Sequence, residues 1–526
     1  MIKEYSAAAI LFAGSLHDEA FKKSFGGKCA FELALKSAAA FPFAAKLVML
    51  ARNDFDESLI PAGIENITLL RENEWTTKNF LNALARAGEG FDLSYFAWAD
   101  SPFLDPKLAE SLACRHIRGA AEYSYSDGWP AGLSPEILSP GTAGILAAIN
   151  AGGETPVQRD TIFAVLQKDI NAFDIETEIS PVDLRQRRLN LSASSKRDLL
   201  LLRRLWDAGL SSTDSMADAV TRIILEKPAL LRTLPAFYPV QVVSACPQSC
   251  ALCPYPKSAA FLSTENGLSY MSLKDFSLLL DKITDFSDDA VVDLSLWGEF
   301  AMHPQKNELV MAVLRHPSLA LVIETSGIGW KKADFETLAS ATEAAAPRKN
   351  GMPPLSWIVS LDTNDEAEYQ KLRGNGFGEA VENARSIVSL FSKSSYVQAV
   401  RTLGNEDSIE KFYRFWKAEN VNVIIQKYDS FCGVLPPLSA ADLSPVKRCP
   451  CWHIMRDMPI LLDGSVPACR EAVCCTNSNT MPVLGNALSE NLELVWQRGG
   501  PLFERHCAEN YDGLCIKCDE YYTFNF

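Results

Sequence analysis

The sequence predicts a multidomain α/β protein, and three features carry that expectation. Apolar, β-branched runs alternate with amphipathic helical stretches along most of the chain, the pattern of parallel sheets with helices packed on them. At 526 residues the chain exceeds what one hydrophobic core serves, so about two to four domains are expected. The 14 cysteines are unevenly spread, with twelve in the stretches 246–253 and 432–518. Apolar residues make up 48% and charged residues 22%, the balance of a globular protein. A formal charge of −15 argues against a general nucleic-acid binder, because a polyanion repels such a surface at range. No apolar run approaches the roughly 20 residues needed to span a bilayer. The run Ala7 to Gly14 is short and preceded by Glu4, so it reads as a buried first strand rather than an export signal. A cytoplasmic protein with neither membrane nor nucleic-acid partner is expected.

The first region, residues 1–205, opens on a strand at Ala7–Phe12. Further strands are expected at Lys46–Ala51 and Ser94–Trp98, with helical stretches at Ala30–Ala40 and Asn79–Ala87. In such sheets ligands gather at the C-terminal strand ends, which here carry Ala13-Gly14 and the acidic turn Asp100 to Asp105. Residues 206–238 read as a helical connector. From 239 to 435, six strands are expected at Val240–Val243, Val291–Leu296, Leu319–Ile323, Trp357–Leu361, Tyr396–Val400 and Val421–Ile425. Helices separate them. One begins near Ser272 with the stripe Phe276, Leu279, Leu280 and Ile283, and another begins near Asp407 with Glu410 supporting its N-terminus. Six strand–helix units predict a partial (β/α)6 barrel with its site at the C-terminal strand ends. Residues 436–526 form a small cysteine-rich region.

Clustered cysteines in a chain without an export signal point to metal ligation rather than disulfides. Cys246, Cys250 and Cys253 follow directly on the first strand of the central region, and thiolates so close in one loop can converge on one metal core. Three thiolates leave one iron of a four-iron cluster open to a small chelating molecule. A structural zinc site would need a fourth ligand and is the competing reading.

This CxxxCxxC spacing resembles the signature of the radical S-adenosylmethionine (SAM) superfamily. Other segments match in order: Gly298-Glu299 within Leu296–Phe300, Thr325-Ser326 within Glu324–Gly327, Ser360-Leu361-Asp362, and Arg373-Gly374. The family often has an aromatic residue before the third cysteine; here that place is Leu252, with Tyr255 shortly after, while Trp297 and Phe300 replace the usual glycine and proline. The resemblance implies a 4Fe-4S cluster on Cys246, Cys250 and Cys253, with SAM held near Gly298, Glu299, Thr325, Ser326, Ser360 and Asp362. It also implies reductive cleavage of SAM to a 5′-deoxyadenosyl radical that abstracts hydrogen from a peptide, protein or small molecule. A flavodoxin or ferredoxin is the expected reductant.

The tail resembles the SPASM or twitch extension of such enzymes. Cys451, Gly464 and Cys469, then Leu484-Gly485-Asn486, Leu494-Val495-Trp496 and Cys515/Cys518 carry the likeness. Cys451 and Cys469 are expected at one end of a hairpin turning at Asp463-Gly464. Full SPASM domains have three further cysteines after the CxxC pair, and none follows Cys518 here, so one auxiliary iron–sulfur cluster is expected, on Cys451, Cys469, Cys515 and Cys518. Cys449 is an alternative first ligand; Cys507 or Cys474-Cys475 can also take part, and a four-cysteine zinc ribbon is the competing reading. Residues 1–205 resemble a nucleotidyltransferase-like α/β sandwich through Ala13-Gly14, Phe25–Lys28 and Ala99-Asp100, but Ser15 to Phe25 lacks the arginine and glycines of an active phosphate loop. The whole layout resembles the spiro-SPASM group. Alternatives are a transferase reaction in the first domain, or a zinc-binding scaffold without turnover.

Overall fold

The computed structural model describes residues 5–64, 67–210, 215–257, 267–474, 482–511 and 513–523. The chain forms two compact units, Met1–Leu231 and Arg232–Phe526. Among the described residues no helix is long and apolar enough to cross a membrane.

The first unit is built on seven strands: β1 (Ala7–Ala13), β2 (Ala44–Arg52), β3 (Ile67–Glu72), β4 (Leu93–Trp98), β5 (Tyr123–Asp127), β6 (Glu136–Leu138) and β7 (Ile175–Ile179). Their order is β3-β2-β1-β4-β6-β5-β7, parallel except for β6, which runs antiparallel to β4 and β5. β1 is buried along its whole length, as its seven apolar residues require. Helices Ala30–Ala39 and Thr77–Gly88 follow the expected stretches, and both start on a capping box. Expectation named only β1, β2 and β4. The other strands escape a periodicity search because β5 (Tyr-Ser-Tyr-Ser-Asp) and β7 (Ile-Glu-Thr-Glu-Ile) are polar, with β7 at the sheet edge. The expected connector region holds the helix Met216–Glu226, which belongs to this unit: Asp105 Oδ2 accepts from Ala217 N at 2.8 Å and from Ser215 Oγ at 3.1 Å.

The second unit carries an all-parallel sheet of β8 (Phe237–Pro239), β9 (Ala290–Asp293), β10 (Leu319–Thr325), β11 (Leu355–Ser360), β12 (Ser395–Arg401) and β13 (Asn422–Lys427), in strict sequence order. Right-handed crossovers wound always in one direction put the helices on one face. Val292, Ile323, Trp357, Val359 and Val397 therefore pack with helix residues Phe276, Leu280, Ile283, Phe412 and Trp416. The alternate residues Phe237, Val291, Ala320, Val322 and Ile358 form a separate cluster on the other face.

Three local readings are corrected. The first strand ends at Pro239; Val240 N still reaches Asp293 O of β9, but the rest of the apolar run bonds elsewhere: Gln241 N to Ile460 O, and Met271 N to Val242 O. The helix expected near Asp407 runs Glu406–Ala418 behind the N-cap Asn405, but Glu410 pairs with Arg414 rather than with the N-terminus. The segment after Cys451 is a short helix, Trp452–Arg456, followed by a run alongside β8 (Met458 N to Phe237 O, Ile460 N to Pro239 O), not one arm of a hairpin. After the Asp463-Gly464 turn, β14 (Ser465–Pro467) pairs with β15 (Val483–Asn486).

His116 is buried in the first unit between two hydroxyls, Ser124 Oγ at 2.8 Å from Nδ1 and Ser139 Oγ at 3.0 Å from Nε2. Burial pushes its pKa down to about 4. The folded state thus prefers the neutral ring, and its contribution to stability is complete above about pH 6.5 and is lost as pH falls toward 4. The loss is on the order of 3 kcal/mol at most. His116→Gln should be less stable than wild type at neutral pH, with a gap in thermal midpoint that narrows from about pH 7 to about pH 4.

Candidate functional site

The inner face of the six-stranded sheet changes character at its C-terminal end. Two positions beyond Val291, Val322 and Ile358 stand Asp293, Glu324 and Ser360; Gln398 of β12 pairs in register with Ser360, and Gln426 of β13 pairs with Val400. All five line one cavity of about 260 Å³. Glu324 Oε1 accepts from Ser360 Oγ at 2.7 Å and from Gln398 Nε2 at 2.8 Å, so three neighbouring strands are tied at their ends. Ser295 Oγ donates to Asp293 Oδ1 at 2.5 Å and accepts from Glu324 N at 2.7 Å, which adds β9.

The loop after β8 brings Cys246, Cys250 and Cys253 to the same cavity. The loop is fixed from several sides. Gln248 Nε2 donates to Tyr369 Oη at 3.0 Å, Ala251 N donates to Leu372 O at 2.7 Å, and Cys250 Sγ lies 3.7 Å from Gln248 Oε1. Burial pushes all three thiols up, Cys253 to about 12, with Arg373 opposing the shift at Cys250 and Cys253. Arg373 is clamped by Asp362, whose Oδ2 accepts from its Nε at 2.6 Å while Oδ1 accepts from Val400 N at 2.8 Å. The three thiols thus sit near a fixed cation in a low-dielectric pocket, the setting in which a thiolate is stabilised by a metal.

Gly298 and Glu299 form the turn after β9. Gly298 has φ +85°, and a Cβ there would lie 2.5 Å from Val243 O, so the turn packs directly against the backbone leading into the cysteine loop. Glu299 N donates to Ala245 O at 2.9 Å. The Glu299 carboxylate is buried and accepts four bonds: Thr325 Oγ1 (2.6 Å) and Ala301 N (3.2 Å) on Oε1, Ser326 N (2.8 Å) and Ser326 Oγ (2.7 Å) on Oε2. Its immediate role is to join the turns after β9 and β10. Tyr255 and Trp297 stack at 5.6 Å on the cavity wall, supplying an aromatic surface near Leu252.

A second, small cavity of about 20 Å³ lies in the C-terminal part of this unit. Cys451, Cys469, Cys515 and Cys518 line it together, and so does Cys432, which the sequence reading passed over. Cys449 and Cys507 are not among its lining residues; Cys475 and the side chain of Cys474 lie outside the described residues. His506 Nε2 is 3.3 Å from Cys515 Sγ. Arg448 donates to Cys515 O at 2.7 Å and lies over the rings of Tyr511 and Tyr521, a cation beside the sulfurs. Five sulfurs with a histidine beside them suit iron–sulfur or zinc chemistry and not a hard cation. The carboxylates of Asp429, Asp519 and Glu520 converge nearby, but Lys427 Nζ already bonds Asp519 at 2.8 Å and also Glu520.

In the first unit, Asp100 stands at the end of β4 and is 2% exposed. Its Oδ2 accepts from Arg159 Nη2 at 2.5 Å, and the guanidinium lies 4.5 Å over the Trp98 ring. The end of β1 is closed by packing, since a Cβ on Gly14 would lie 2.2 Å from the Trp75 ring. Asp105 caps the helix Pro106–Gly119 through Lys107 N at 2.8 Å.

Fold and sites define a two-unit α/β protein on parallel sheets, with one cavity gathering three cysteines and another gathering five. The chain belongs to the family of a Treponema pallidum (strain Nichols) protein described as "Uncharacterized protein", to which it is 36% identical over 372 residues, 69% of this chain and 98% of that one. No family model matches the chain. Among solved structures it is similar to Streptococcus suis SuiB bound to precursor peptide SuiA, with a TM-score of 0.42 and 15% identity over 59% of this chain and 76% of that one. It is also similar to a cytidylyltransferase from Leptospira borgpetersenii serovar Hardjo-bovis (strain JB197), with a TM-score of 0.35 and 15% identity over 43% of this chain and 96% of that one.

The strain at Gly298 is testable. Gly298→Ala should cost about 2 kcal/mol or more in denaturant unfolding of this unit, from left-handed strain plus the clash with Val243 O. Gly351→Ala, which also has positive φ but open space around it, should cost only the strain, about 1 kcal/mol.

Proposed function

We propose that this chain is a radical SAM enzyme. Cys246, Cys250 and Cys253 would hold a four-iron cluster with one open iron, and Cys451, Cys469, Cys515 and Cys518 an auxiliary cluster. The observation that carries the reading is convergence: three half-buried thiols from one loop share a cavity with the Gly298-Glu299 turn and the polar ends of five consecutive strands. When bound, the cluster and SAM supply the chemistry, one electron splitting the sulfonium into methionine and a 5′-deoxyadenosyl radical that takes a hydrogen atom from substrate.

The chain's own residues provide binding and exclusion of water. Glu299 fixes the two turns that would cradle the amino-acid end of SAM, with Thr325 and Ser326 locked onto it. Glu324, Ser360 and Gln398 offer hydrogen-bonding groups where a ribose would lie, and the Tyr255–Trp297 stack is a dry aromatic wall. The cavity's charge favours a cationic occupant. Asp293, Glu299, Glu324 and Asp429 line it, while its cations are already engaged: Arg373 with Asp362, Lys427 with Asp519 and Glu520, Arg470 with Glu471. Burial pushes Asp293 up to about 7, so a positive charge placed there would be stabilised by its ionisation. The substrate would be a peptide, protein or small molecule carrying an abstractable hydrogen, and the electron donor a flavodoxin or ferredoxin.

Anaerobic reconstitution with iron and sulfide, followed by dithionite and SAM, should yield 5′-deoxyadenosine. Cys246→Ala, Cys250→Ala or Cys253→Ala should each abolish that product while leaving auxiliary iron in place. Wild-type protein that binds only zinc and cleaves no SAM would overturn the assignment.

For the first unit we infer a nucleotidyltransferase-like domain without metal-dependent turnover. Arg159 holds one oxygen of the carboxylate that would otherwise take a divalent cation, and its guanidinium also lies over the Trp98 indole. Exchange of labelled pyrophosphate into nucleoside triphosphates with magnesium should therefore stay at background. Robust exchange that Asp100→Ala abolishes would reverse the inference.

A further inference from the structure

Three carboxylates lining the larger cavity each keep one oxygen without a hydrogen-bond donor among the described residues. Asp293 takes both bonds of Ser295 on Oδ1, from N at 3.0 Å and from Oγ at 2.5 Å, and none on Oδ2. Glu324 takes Ser360 and Gln398 on Oε1 and none on Oε2. Asp429 takes Phe431 N on Oδ1 at 2.7 Å, while its buried Oδ2 takes none. The Asp429 residue is only 9% exposed. Arg470 Nη2 stands 3.8 Å from Oδ2, beyond hydrogen-bond reach, and Arg470 Nε is given to Glu471 at 2.9 Å. A buried acceptor left without a donor costs free energy that a bound donor recovers.

A single hard cation does not fit the three open oxygens. The carboxylates of Asp293, Glu324 and Asp429 do not all come within 4.8 Å of one another; among the described residues Asp429, Asp519 and Glu520 do, and there Lys427 Nζ already bonds two of them. An organic cation fits better, because the same cavity offers aromatic surface beside the acids. Tyr428, Phe431 and Trp297 line it, with the Phe431 ring 5.7 Å from Trp297 and Tyr255 stacked on Trp297 at 5.6 Å. Aromatic faces attract ammonium and guanidinium groups and cover the hydrocarbon stem behind them. Burial drives Asp293 and Asp429 up and Arg470 opposes both shifts, so the two carboxylates flank one guanidinium. The stretches 429–432 and 469–471 also reach the smaller cavity, through Cys432, Cys469 and Glu471. This acidic side of the cavity is therefore distinct from the Gly298-Glu299 and Thr325-Ser326 turns assigned above to SAM.

We propose that the substrate is recognised by a basic group, an ammonium or guanidinium on an alkyl stem, held by Asp429 and Asp293 against the Phe431–Trp297 wall. A lysine-bearing peptide and a small alkylamine share that chemistry. Calling the bound amine a substrate rests on the radical SAM reading; its recognition rests on the cavity's own groups.

The test is isothermal titration of the anaerobically reconstituted full chain with matched probes. Nα-acetyl-lysine methylamide and Nα-acetyl-norleucine methylamide differ in the ammonium, and n-pentylamine carries the amine without a peptide frame. At least one amine should bind about tenfold or more tighter than the norleucine probe, with and without saturating SAM. A tighter lysine probe marks a peptide source, and a tighter pentylamine a small-molecule one. Asp429→Asn keeps the Oδ1 that accepts from Phe431 N, and it and Asp293→Asn should each weaken amine binding about fivefold or more. Glu382→Gln, exposed and outside the cavity, should leave it unchanged. Norleucine binding as tightly as both amines, no amine binding below about 10 mM, or displacement of the amine by SAM would overturn the proposal. So would folded Asp429→Asn and Asp293→Asn proteins that bind the amine as wild type does; the wild-type comparison of probes decides where a variant does not fold. Amine preference intact in a chain that neither binds SAM nor forms 5′-deoxyadenosine would overturn the radical SAM reading and leave the basic-group site standing.

Discussion

The Glu299 carboxylate, buried with four donors on its two oxygens, is the constraint around which the larger site is organised. A buried carboxylate without partners would cost several kcal/mol or take up a proton. Here its bonds recruit the turn after β10, while its own backbone N–H reaches Ala245, just before the first cysteine of the loop. One side chain thereby sets the mutual position of three strand-end loops. Gly298 completes the arrangement, because only a residue without Cβ lets the turn approach Val243 so closely.

Sequence order explains why such a site exists at all. When parallel strands follow one another in order, every C-terminal end reaches the same edge, and each strand can contribute one polar residue without disturbing the apolar layer beneath. Asp293, Glu324, Ser360, Gln398 and Gln426 are those contributions. Hydrogen bonds among Glu324, Ser360 and Gln398 keep those three satisfied in the interior, which makes this part of the polar layer preorganised and not a fault in the core.

Legibility from the sequence followed chain distance. Cys246, Cys250 and Cys253 lie within eight consecutive positions, so their convergence was readable from spacing, as were five of the sheet's six strands from their apolar runs. The strand-end polar residues had a usable signal that went unread: each interrupts an apolar run two positions after a residue on the same face. Cys432 had none, since it stands 19 positions before Cys451 with no motif around it, and only the turn after β13 returns it to the other sulfurs. The expected hairpin failed for a related reason. The apolar run after Cys451 suits a strand, but periodicity does not name the partner, and β8 offered an open edge. In the first unit β5 and β7 were missed because edge and polar strands lack the apolar alternation that marks a half-buried one.

The two units use the same device to opposite ends. In each, an acidic residue stands at a strand C-terminus beside an arginine. In the second unit Asp362 holds Arg373 at the edge of the cysteine cavity, leaving the guanidinium's charge to act on Cys250 and Cys253 while the cavity stays open. In the first, Arg159 lies directly on Asp100 over the Trp98 ring, and Trp75 fills the space at Gly14. A parallel sheet supplies the location for a site; whether its strand ends remain polar, solvated and unfilled decides what such a location can hold.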